Sequence, residues 1–184
     1  MSAPPRLRVL STDEVEPELL DELTALCEAA FDESFASAWE RVGPGVHVIA
    51  SDTGGVAAHA MIVDRRLYLG HEPDQALYAG YVEHVATRPE IQGQGHGTAV
   101  MREINRLIEE DYAIGALSTG ANGFYQGLGW ETWRGPTFVR MLDGQRVRSI
   151  DDDGGVMVLR TARTPADLDL DGPIAVDWRP EEAW

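Results

Sequence analysis

The chain contains no lysine, and all 15 of its basic residues are arginine. This absence excludes a G-K-[ST] phosphate-binding loop, a Schiff-base lysine and a catalytic lysine. Cys27 is the single cysteine, which excludes an internal disulfide and a cysteine-rich metal site and favours a reducing compartment. No apolar run approaches the roughly 20 residues that span a bilayer, and the N-terminal stretch lacks the apolar core of a signal peptide. We therefore expect a cytoplasmic protein.

Charge of one sign dominates the sequence. Against 15 basic residues stand 31 acidic ones, which gives a net charge of −16. An acidic surface repels phosphate backbones, so nucleic acid is not an expected partner, whereas a small polycation would be attracted. The alternative, that the excess acid only keeps the protein soluble, stays open on charge alone. The five histidines include no i, i+4 pair, so no metal site is expected.

The length of 184 residues predicts one domain over residues 1–184. Apolar spacing and turn residues predict the elements in order, and the turn residues at 52–55 make a β-hairpin of the two strands that flank them. We expect strands at 6–10, 46–51, 56–67, 77–87, 113–117, 130–133, 138–141 and 156–159; helices from Pro17 to about residue 30, within 32–41, at 98–110 and at 122–128; and loops at 142–155 and in the tail. The order predicts a mixed α/β (α+β) domain with a largely antiparallel sheet, one parallel crossover and flanking helices.

A glycine-rich turn joins the strand at 77–87 to the following helix. It reads Gln92-Gly93-Gln94-Gly95-His96-Gly97. Glycines let the backbone approach a ligand, and unpaired amides at a helix start suit an anion such as a pyrophosphate. The spacing is not the G-x-G-x-x-G of dinucleotide folds. On its own, the stretch also fits a plain tight turn.

Two motifs together resemble the GCN5-related N-acetyltransferase (GNAT) superfamily. Gln92-x-x-Gly95-x-Gly97 is similar to its acetyl-CoA pyrophosphate loop, and the stretch from Asn122 to Trp130 is similar to its N-x-x-(F/Y)-Y-x-x-x-G-(F/W) signature. The resemblance implies a single-domain GNAT fold with a splayed central strand pair, and acetyl-CoA as the cofactor. The residues that it assigns to acetyl-CoA are Val85, Ala86, Thr87, Gln92, Gly93, Gln94, Gly95, His96, Gly97, Asn122 and Tyr125.

Further stretches resemble the aminoglycoside 2′-N-acetyltransferases: residues 80–86, 115–118 and 151–154, and the Asp-Trp-Arg of 177–179 followed by Trp184. The resemblance implies acetylation of the 2′-amine of aminoglycosides and resistance to these polycationic antibiotics, and it is compatible with a homodimer. The residues assigned to the substrate are Asp32, Ser34, Glu83, His84, Ser118, Asp151, Asp152, Glu182 and Trp184. Ser34 and Glu182 stand where the family can have aspartate, and these two departures bear on which aminoglycosides fit.

Acetyl transfer to an amine needs a base for the ammonium proton, a donor to the thioester oxygen and an acid for the thiolate. By resemblance, Glu83 is the base, directly or through water, and the amide of Val85 is the oxyanion donor. Tyr125 is the candidate acid, because a phenol donates a proton to a thiolate. Strand alternation directs His84 away from Glu83, which favours packing over chemistry. For His96, the backbone N–H is expected to matter more than the ring.

Two other functions remain open. The first is N-acetylation of a different amine, such as a polyamine or another amino sugar, which the acidic composition fits equally well. The second is a non-catalytic acyl-CoA sensor that kept the fold. A thiol-release assay separates the sensor from the enzymes, and the presence of both Glu83 and Tyr125 argues against the sensor.

Overall fold

The structure is a computed structural model that describes residues 5–35, 37–70 and 76–184. The strands are β1 (Arg6–Ser11), β2 (Val46–Asp52), β3 (Gly55–Leu69), β4 (Ala76–Thr87), β5 (Ile114–Ser118), β6 (Glu131–Thr132), β7 (Thr137–Arg140), β8 (Arg146–Arg148), β9 (Val156–Arg160) and β10 (Ile174–Asp177). The helices are α1 (Pro17–Phe31), α2 (Ala38–Val42), α3 (His96–Asp111) and α4 (Asn122–Gln126).

The chain divides into two compact units that each take two segments of sequence. Unit 1 comprises Met1–Val63 and Val82–Arg106, and unit 2 comprises Asp64–Tyr81 and Leu107–Trp184. The boundaries fall inside β3, β4 and α3, so these three elements contribute residues to both units. One domain over residues 1–184 stays a prediction.

Unit 1 is built on the expected β-hairpin. β2 and β3 pair antiparallel from Val46↔Ile62 to Asp52↔Gly55, and β1 pairs antiparallel with the other edge of β2. The turn at Asp52 is closed by the Gly54 N–H, which donates to the Asp52 carboxylate at 2.7 Å. The tight turn needs a left-handed residue, and Gly55 supplies it at φ +102°.

Helix α1 buries the face that its apolar spacing predicts. Leu23, Leu26 and Cys27 are buried, and Leu26 and Cys27 pack in one cluster with Phe35 and Ala38. Burial raises the pKa of the Cys27 thiol to about 12, so this residue is an unreactive small hydrophobe. The helix ends where Asp32 turns left-handed at φ 57°.

Unit 2 contains two runs of neighbouring strands. In the first, β9 lies between β6 and β5, antiparallel to both, and β5 pairs in parallel with β4. This parallel ladder covers only Ala79↔Ile114 to Tyr81↔Ala116, a short ladder beside a 12-residue strand, as a splayed pair requires. In the second run, β10 lies between β3, antiparallel, and β7, parallel, and β8 continues beyond β7.

Paired glycines let a helix and an indole ring pack closely on the first run. Gly80 of β4 lies opposite Gly115 of β5. A Cβ at Gly80 would lie 2.9 Å from the Tyr112 ring, and one at Gly115 would lie 3.0 Å from the Trp130 ring. Both distances are too short for a side chain, so larger residues would displace these aromatic rings.

Several predicted elements need correction. β8 lies inside the stretch expected to be a loop, and β10 lies in the tail that was also expected to lack regular structure. β10 adds a second parallel pairing where only one was expected. α2 begins at Ala38, later than predicted, because the Phe35 N–H donates to the Glu28 side chain at 3.0 Å and holds the preceding residues in a turn. No helix within the described residues has the length and hydropathy to cross a membrane.

Candidate active site

The glycine-rich turn has open space at two of its glycines. Gly93 and Gly95 are exposed and left-handed, at φ +76° and +94°, and a Cβ built on either would meet no atom within 4 Å. The Gln94 N–H donates to the Ile91 carbonyl at 3.3 Å, and the Gln92 side chain donates to the Thr87 carbonyl at 3.3 Å. The Gln92 side chain therefore braces the turn.

Helix α3 begins directly after this turn, at His96. The N–H groups of its first turn, from His96 to Thr98, have no partner within the helix, and the helix dipole adds partial positive charge there. Left-handed glycines followed by free amides fit a pyrophosphate, so the residues present suit acetyl-CoA at this place. The His96 ring is buried, which agrees with a backbone role for this residue in ligand binding.

The end of β4 departs from the regular strand that alternation assumes. His84 has φ +53°, a left-handed conformation that is uncommon for a non-glycine residue. The expectation that alternation alone places His84 on the face opposite Glu83 is therefore wrong in its reasoning, because a left-handed residue interrupts the extended backbone. The His84 ring packs edge-on against Phe35 at 4.6 Å and Trp39 at 4.9 Å between ring centroids, which is a packing environment.

A chain of hydrogen bonds holds the backbone at this point. The His84 carbonyl lies 3.0 Å from Nδ1 of His59, and Nε2 of His59 lies 3.0 Å from Nδ1 of His47. Because a carbonyl only accepts, His59 donates from Nδ1 and accepts at Nε2 from His47. Nε2 of His47 lies 3.1 Å from the Thr12 hydroxyl, which also donates to the Gly45 carbonyl. An imidazole that donates from Nδ1 and accepts at Nε2 carries one proton, so His59 is neutral in this arrangement. Burial lowers the pKa of His47 to about 4, so His47 is neutral as well.

The predicted base and oxyanion donor flank His84. Glu83 and Val85 are both half-buried, and Oε1 of Glu83 is shielded from solvent. Ala86 is buried and Thr87 is half-buried. The left-handed turn at His84 thus sets the directions in which Glu83 and the Val85 amide point.

Helix α4 carries the predicted acid in unit 2. Tyr125 is buried, and burial raises the pKa of its phenol to about 12 even though a hydrogen bond with Thr119 lowers it. Asn122 donates from its amide to the Thr132 hydroxyl at 3.1 Å and to the Gly154 carbonyl at 2.9 Å. Both donors of the Asn122 side chain are therefore used to fasten α4 to neighbouring segments.

Unit 2 also contains an acidic pocket of about 360 Å³ beside β7 and the tail. Its lining includes three carboxylates, two indole rings and one arginine. The lining residues are Val139, Met141, Val147, Ser149, Asp152, Trp178, Arg179, Glu181, Glu182, Ala183 and Trp184. The predicted substrate residues Asp152, Glu182 and Trp184 are thus brought together.

The three aspartates at 151–153 have different environments. Asp152 lines the pocket and accepts a hydrogen bond from the Ser149 hydroxyl. Asp153 pairs with Arg148 and accepts from Thr137, and the pairing with Arg148 lowers its pKa to about 2. Asp151 is exposed and is not part of the pocket lining. Only Asp152 of this run therefore faces the pocket.

The remaining predicted substrate residues lie elsewhere. Ser118 is exposed at the end of β5, and the Thr119 N–H beside it donates to the Gly155 carbonyl at 2.9 Å, which joins this strand end to the acidic loop. Asp32 and Ser34 belong to unit 1, where both are exposed after α1. Among the pocket residues, sequence reasoning missed Ser149 and Glu181, which no motif marks.

Comparison with known proteins identifies the family. The acetyltransferase (GNAT) domain matches residues 11–133. The chain is 37% identical over 182 residues, 96% of its own length and 91% of the relative's, to an aminoglycoside 2'-N-acetyltransferase from Mycolicibacterium fortuitum.

Solved structures agree on the fold. The chain is similar to a GNAT family N-acetyltransferase (YhbS) from Escherichia coli in complex with CoA, with a TM-score of 0.61 and 19% identity over 95% of this chain and 93% of that one. A GCN5-related N-acetyltransferase from Kribbella flavida gives a TM-score of 0.56 and 21% identity over 72% of this chain, which spans about a third (34%) of that structure. With the domain match covering most of its length and a full-length relative beside it, the chain belongs to the GNAT family of acetyltransferases.

Proposed function

We propose that the protein transfers the acetyl group of acetyl-CoA to the 2′-amine of aminoglycosides, and that it thereby confers resistance to them. The observation that carries this proposal is the pocket of unit 2, where Asp152, Glu181 and Glu182 lie with the indoles of Trp178 and Trp184. Carboxylates attract the ammonium groups of a polycation, and aromatic rings pack on the apolar faces of its sugar rings. The relative from Mycolicibacterium fortuitum supports the same substrate class.

The chemistry falls to three groups, with acetyl-CoA supplying the thioester that donates the acetyl group. Glu83 takes a proton from the substrate ammonium, directly or through one water, and leaves a neutral amine able to attack the carbonyl carbon. The Val85 N–H donates to the carbonyl oxygen as that oxygen gains negative charge. Tyr125 donates its phenolic proton to the departing sulfur as the carbon–sulfur bond breaks. As the amide forms, the nitrogen releases its second proton to solvent, and solvent reprotonates the tyrosinate. The net proton of the reaction is the one that Glu83 returns to solvent.

The test is acetylation of a matched pair of substrates. Kanamycin B has a 2′-amine and kanamycin A has a 2′-hydroxyl, and the two are otherwise alike. We expect thiol release and a mass gain of one acetyl group with kanamycin B and neither with kanamycin A. Acetylation of kanamycin A would overturn the regiochemistry, and turnover of polyamines alone would support the alternative amine acetyltransferase. Release of no thiol with any amine would support the acyl-CoA sensor.

A second test examines the pocket itself. Asp152→Asn removes a lining carboxylate, whereas Asp151→Asn removes an exposed one next to it, so the two changes alter the net charge equally. We expect Asp152→Asn to raise KM for kanamycin B more than it lowers kcat, because the carboxylate binds the ground state and the transition state alike. A larger effect of Asp151→Asn would contradict binding of the substrate in this pocket.

A cytoplasmic location and a homodimer are predictions of the sequence only. Size-exclusion chromatography measures whether the protein is a dimer.

A further inference from the structure

Residues 178–184, called here the tail segment, form one wall of the pocket without any regular secondary structure. Six of the pocket's lining residues come from this segment. It contains no helix or strand, yet Trp184 is only 5% exposed. A segment without a ladder or a helix loses order easily, so the shape of the wall depends on what holds it.

The backbone of the tail segment makes few hydrogen bonds that fix its position. Within the described part of the chain, one backbone hydrogen bond links it to a neighbouring strand, from the Trp178 N–H to the Arg140 carbonyl at 2.8 Å. A second, from the Glu182 N–H to the Pro180 carbonyl, is internal. Glu181 is left-handed at φ 66°, a conformation that persists in a non-glycine residue only when its surroundings hold it.

Arg65 on β3 supplies contacts at both ends of the segment. Its Nη1 donates to the Ala183 carbonyl at 2.9 Å, and its Nη2 donates to the Asp177 carbonyl at 2.5 Å. The guanidinium also lies over the Tyr81 ring, 5.3 Å from the centroid, and the guanidinium of Arg179 lies 5.8 Å from the same centroid. One strand residue therefore joins the carbonyl just before the segment to the carbonyl that precedes Trp184.

We propose that Arg65 is a positioning residue for substrate binding, which holds the tail segment closed as a wall of the acidic pocket. The proposal rests on the proposed function, because it assumes that the pocket receives the aminoglycoside. The planar fork of arginine reaches two carbonyls at once with charge-assisted hydrogen bonds, which a single ammonium group cannot reproduce in the same geometry. Arg65 is not among the residues that line the pocket, and it acts on the pocket through its hydrogen bond to the carbonyl of the lining residue Ala183.

The neighbouring Arg66 provides the matched control. It is exposed on the same strand, so Arg66→Gln changes the net charge, and hence the attraction for a polycation, as Arg65→Gln does. We expect Arg65→Gln to raise KM for kanamycin B about tenfold or more, with kcat and the KM for acetyl-CoA changed less than threefold. Arg65→Lys should recover part of this loss, and Arg66→Gln should match the wild type.

A readout without turnover measures the tail segment directly. We expect acrylamide to quench the tryptophan fluorescence of folded Arg65→Gln at least about twofold more than that of the wild type or Arg66→Gln, and Trp184→Phe to remove this difference. If Arg65→Gln does not fold, Arg65→Lys serves for the KM and quenching measurements.

The outcomes separate the two proposals. An equal rise of KM in Arg65→Gln and Arg66→Gln would show that the change in net charge alone weakens substrate binding. This result would overturn the positioning role. A released tail with unchanged KM would overturn it as well, since the tail would then not shape binding. If no aminoglycoside is acetylated by the wild type, the proposed function fails, whereas unchanged protection of Trp184 in Arg65→Gln shows that the Arg65 contacts themselves do not hold the tail.

Discussion

Acidification should destabilise this protein strongly between about pH 7 and pH 5, because two histidines are buried in neutral form. His47 is 1% exposed and His59 is 0% exposed. Burial lowers the pKa of His47 to about 4 and that of His59 to about 3, from an ordinary value of 6.5. A proton on Nε2 of His59 would also place two N–H groups face to face across its 3.0 Å contact with His47.

The sign and size of the effect follow from linkage. Below pH 6.5 the unfolded chain binds protons at both histidines and the folded protein does not, so stability is full above pH 6.5 and falls as the pH drops toward the folded values. At pH 5 the pH is about 1.5 units below the pKa of each histidine in the unfolded chain. The free energy of unfolding therefore falls by about 2 kcal/mol per histidine, or about 4 kcal/mol for the pair. This is a large part of the roughly 5–15 kcal/mol that stabilises a typical domain.

The assay is urea unfolding at constant ionic strength from pH 8 to pH 5, followed by tryptophan fluorescence. We expect the free energy of unfolding to fall by about 4 kcal/mol, with a slope that approaches two protons, or about 3 kcal/mol per pH unit, below pH 6. The window excludes carboxylates such as Asp153, because their protonation in the unfolded chain begins at lower pH.

Single substitutions and a spectroscopic measurement supply the controls. His47→Gln and His59→Gln should each reduce the slope to one proton, whatever they cost in absolute stability. Nitrogen NMR of the imidazoles should show both rings neutral in the folded protein at pH 5. A loss of less than about 1 kcal/mol between pH 7.5 and pH 5 would refute the reasoning, since it would mean that the folded protein binds these protons too.

Three further predictions concern the reaction. Glu83→Gln should depress kcat/KM most at low pH, where little free amine exists, and a defect equal at every pH would assign Glu83 to positioning instead. Tyr125→Phe should lower kcat by about 10²–10⁴-fold, evenly from pH 6 to pH 9, because a pKa of about 12 keeps the phenol protonated there; a pH-dependent loss would contradict this. Gly95→Val should abolish acetyl-CoA binding in calorimetry, and an unchanged affinity would remove the turn from the cofactor site.

Local patterns were enough to predict the elements that are held by their own sequence. The apolar spacing of α1 and the Asp52–Gly55 turn both depend on residues that are close along the chain, and both predictions are confirmed. The sequence did not predict β10, because its three buried residues lie between an aspartate-rich loop and the tail. Its partner strands β3 and β7 are also distant in sequence. The sequence did not predict β8 either, because two of its three residues are arginines, which are equally common in polar loops.

The same division applies to the candidate site. Motif resemblance identified Glu83, Tyr125 and Asp152 as residue types suited to their roles. It assigned Asp151 together with Asp152, although Asp151 is exposed and outside the pocket lining. It left out Asp153, which pairs with Arg148 and accepts from Thr137. The charge run alone has three equivalent carboxylates, and only their tertiary contacts separate one that can bind a cation from one that is already neutralised.

The backbone at His84 is the feature that no sequence pattern marks. A left-handed histidine inside a strand costs conformational energy, so the surroundings must hold it. Here they do so through His59 and His47, which lie on β3 and β2 and donate in series toward the His84 carbonyl. Since the residues on either side of His84 are the predicted base and oxyanion donor, this buried histidine chain and the site at the end of β4 share one conformation. The folded protein takes up these protons only near pH 4 to pH 3, so the site at the end of β4 should keep its conformation through the pH range from 7 to 5 in which unit 1 loses stability.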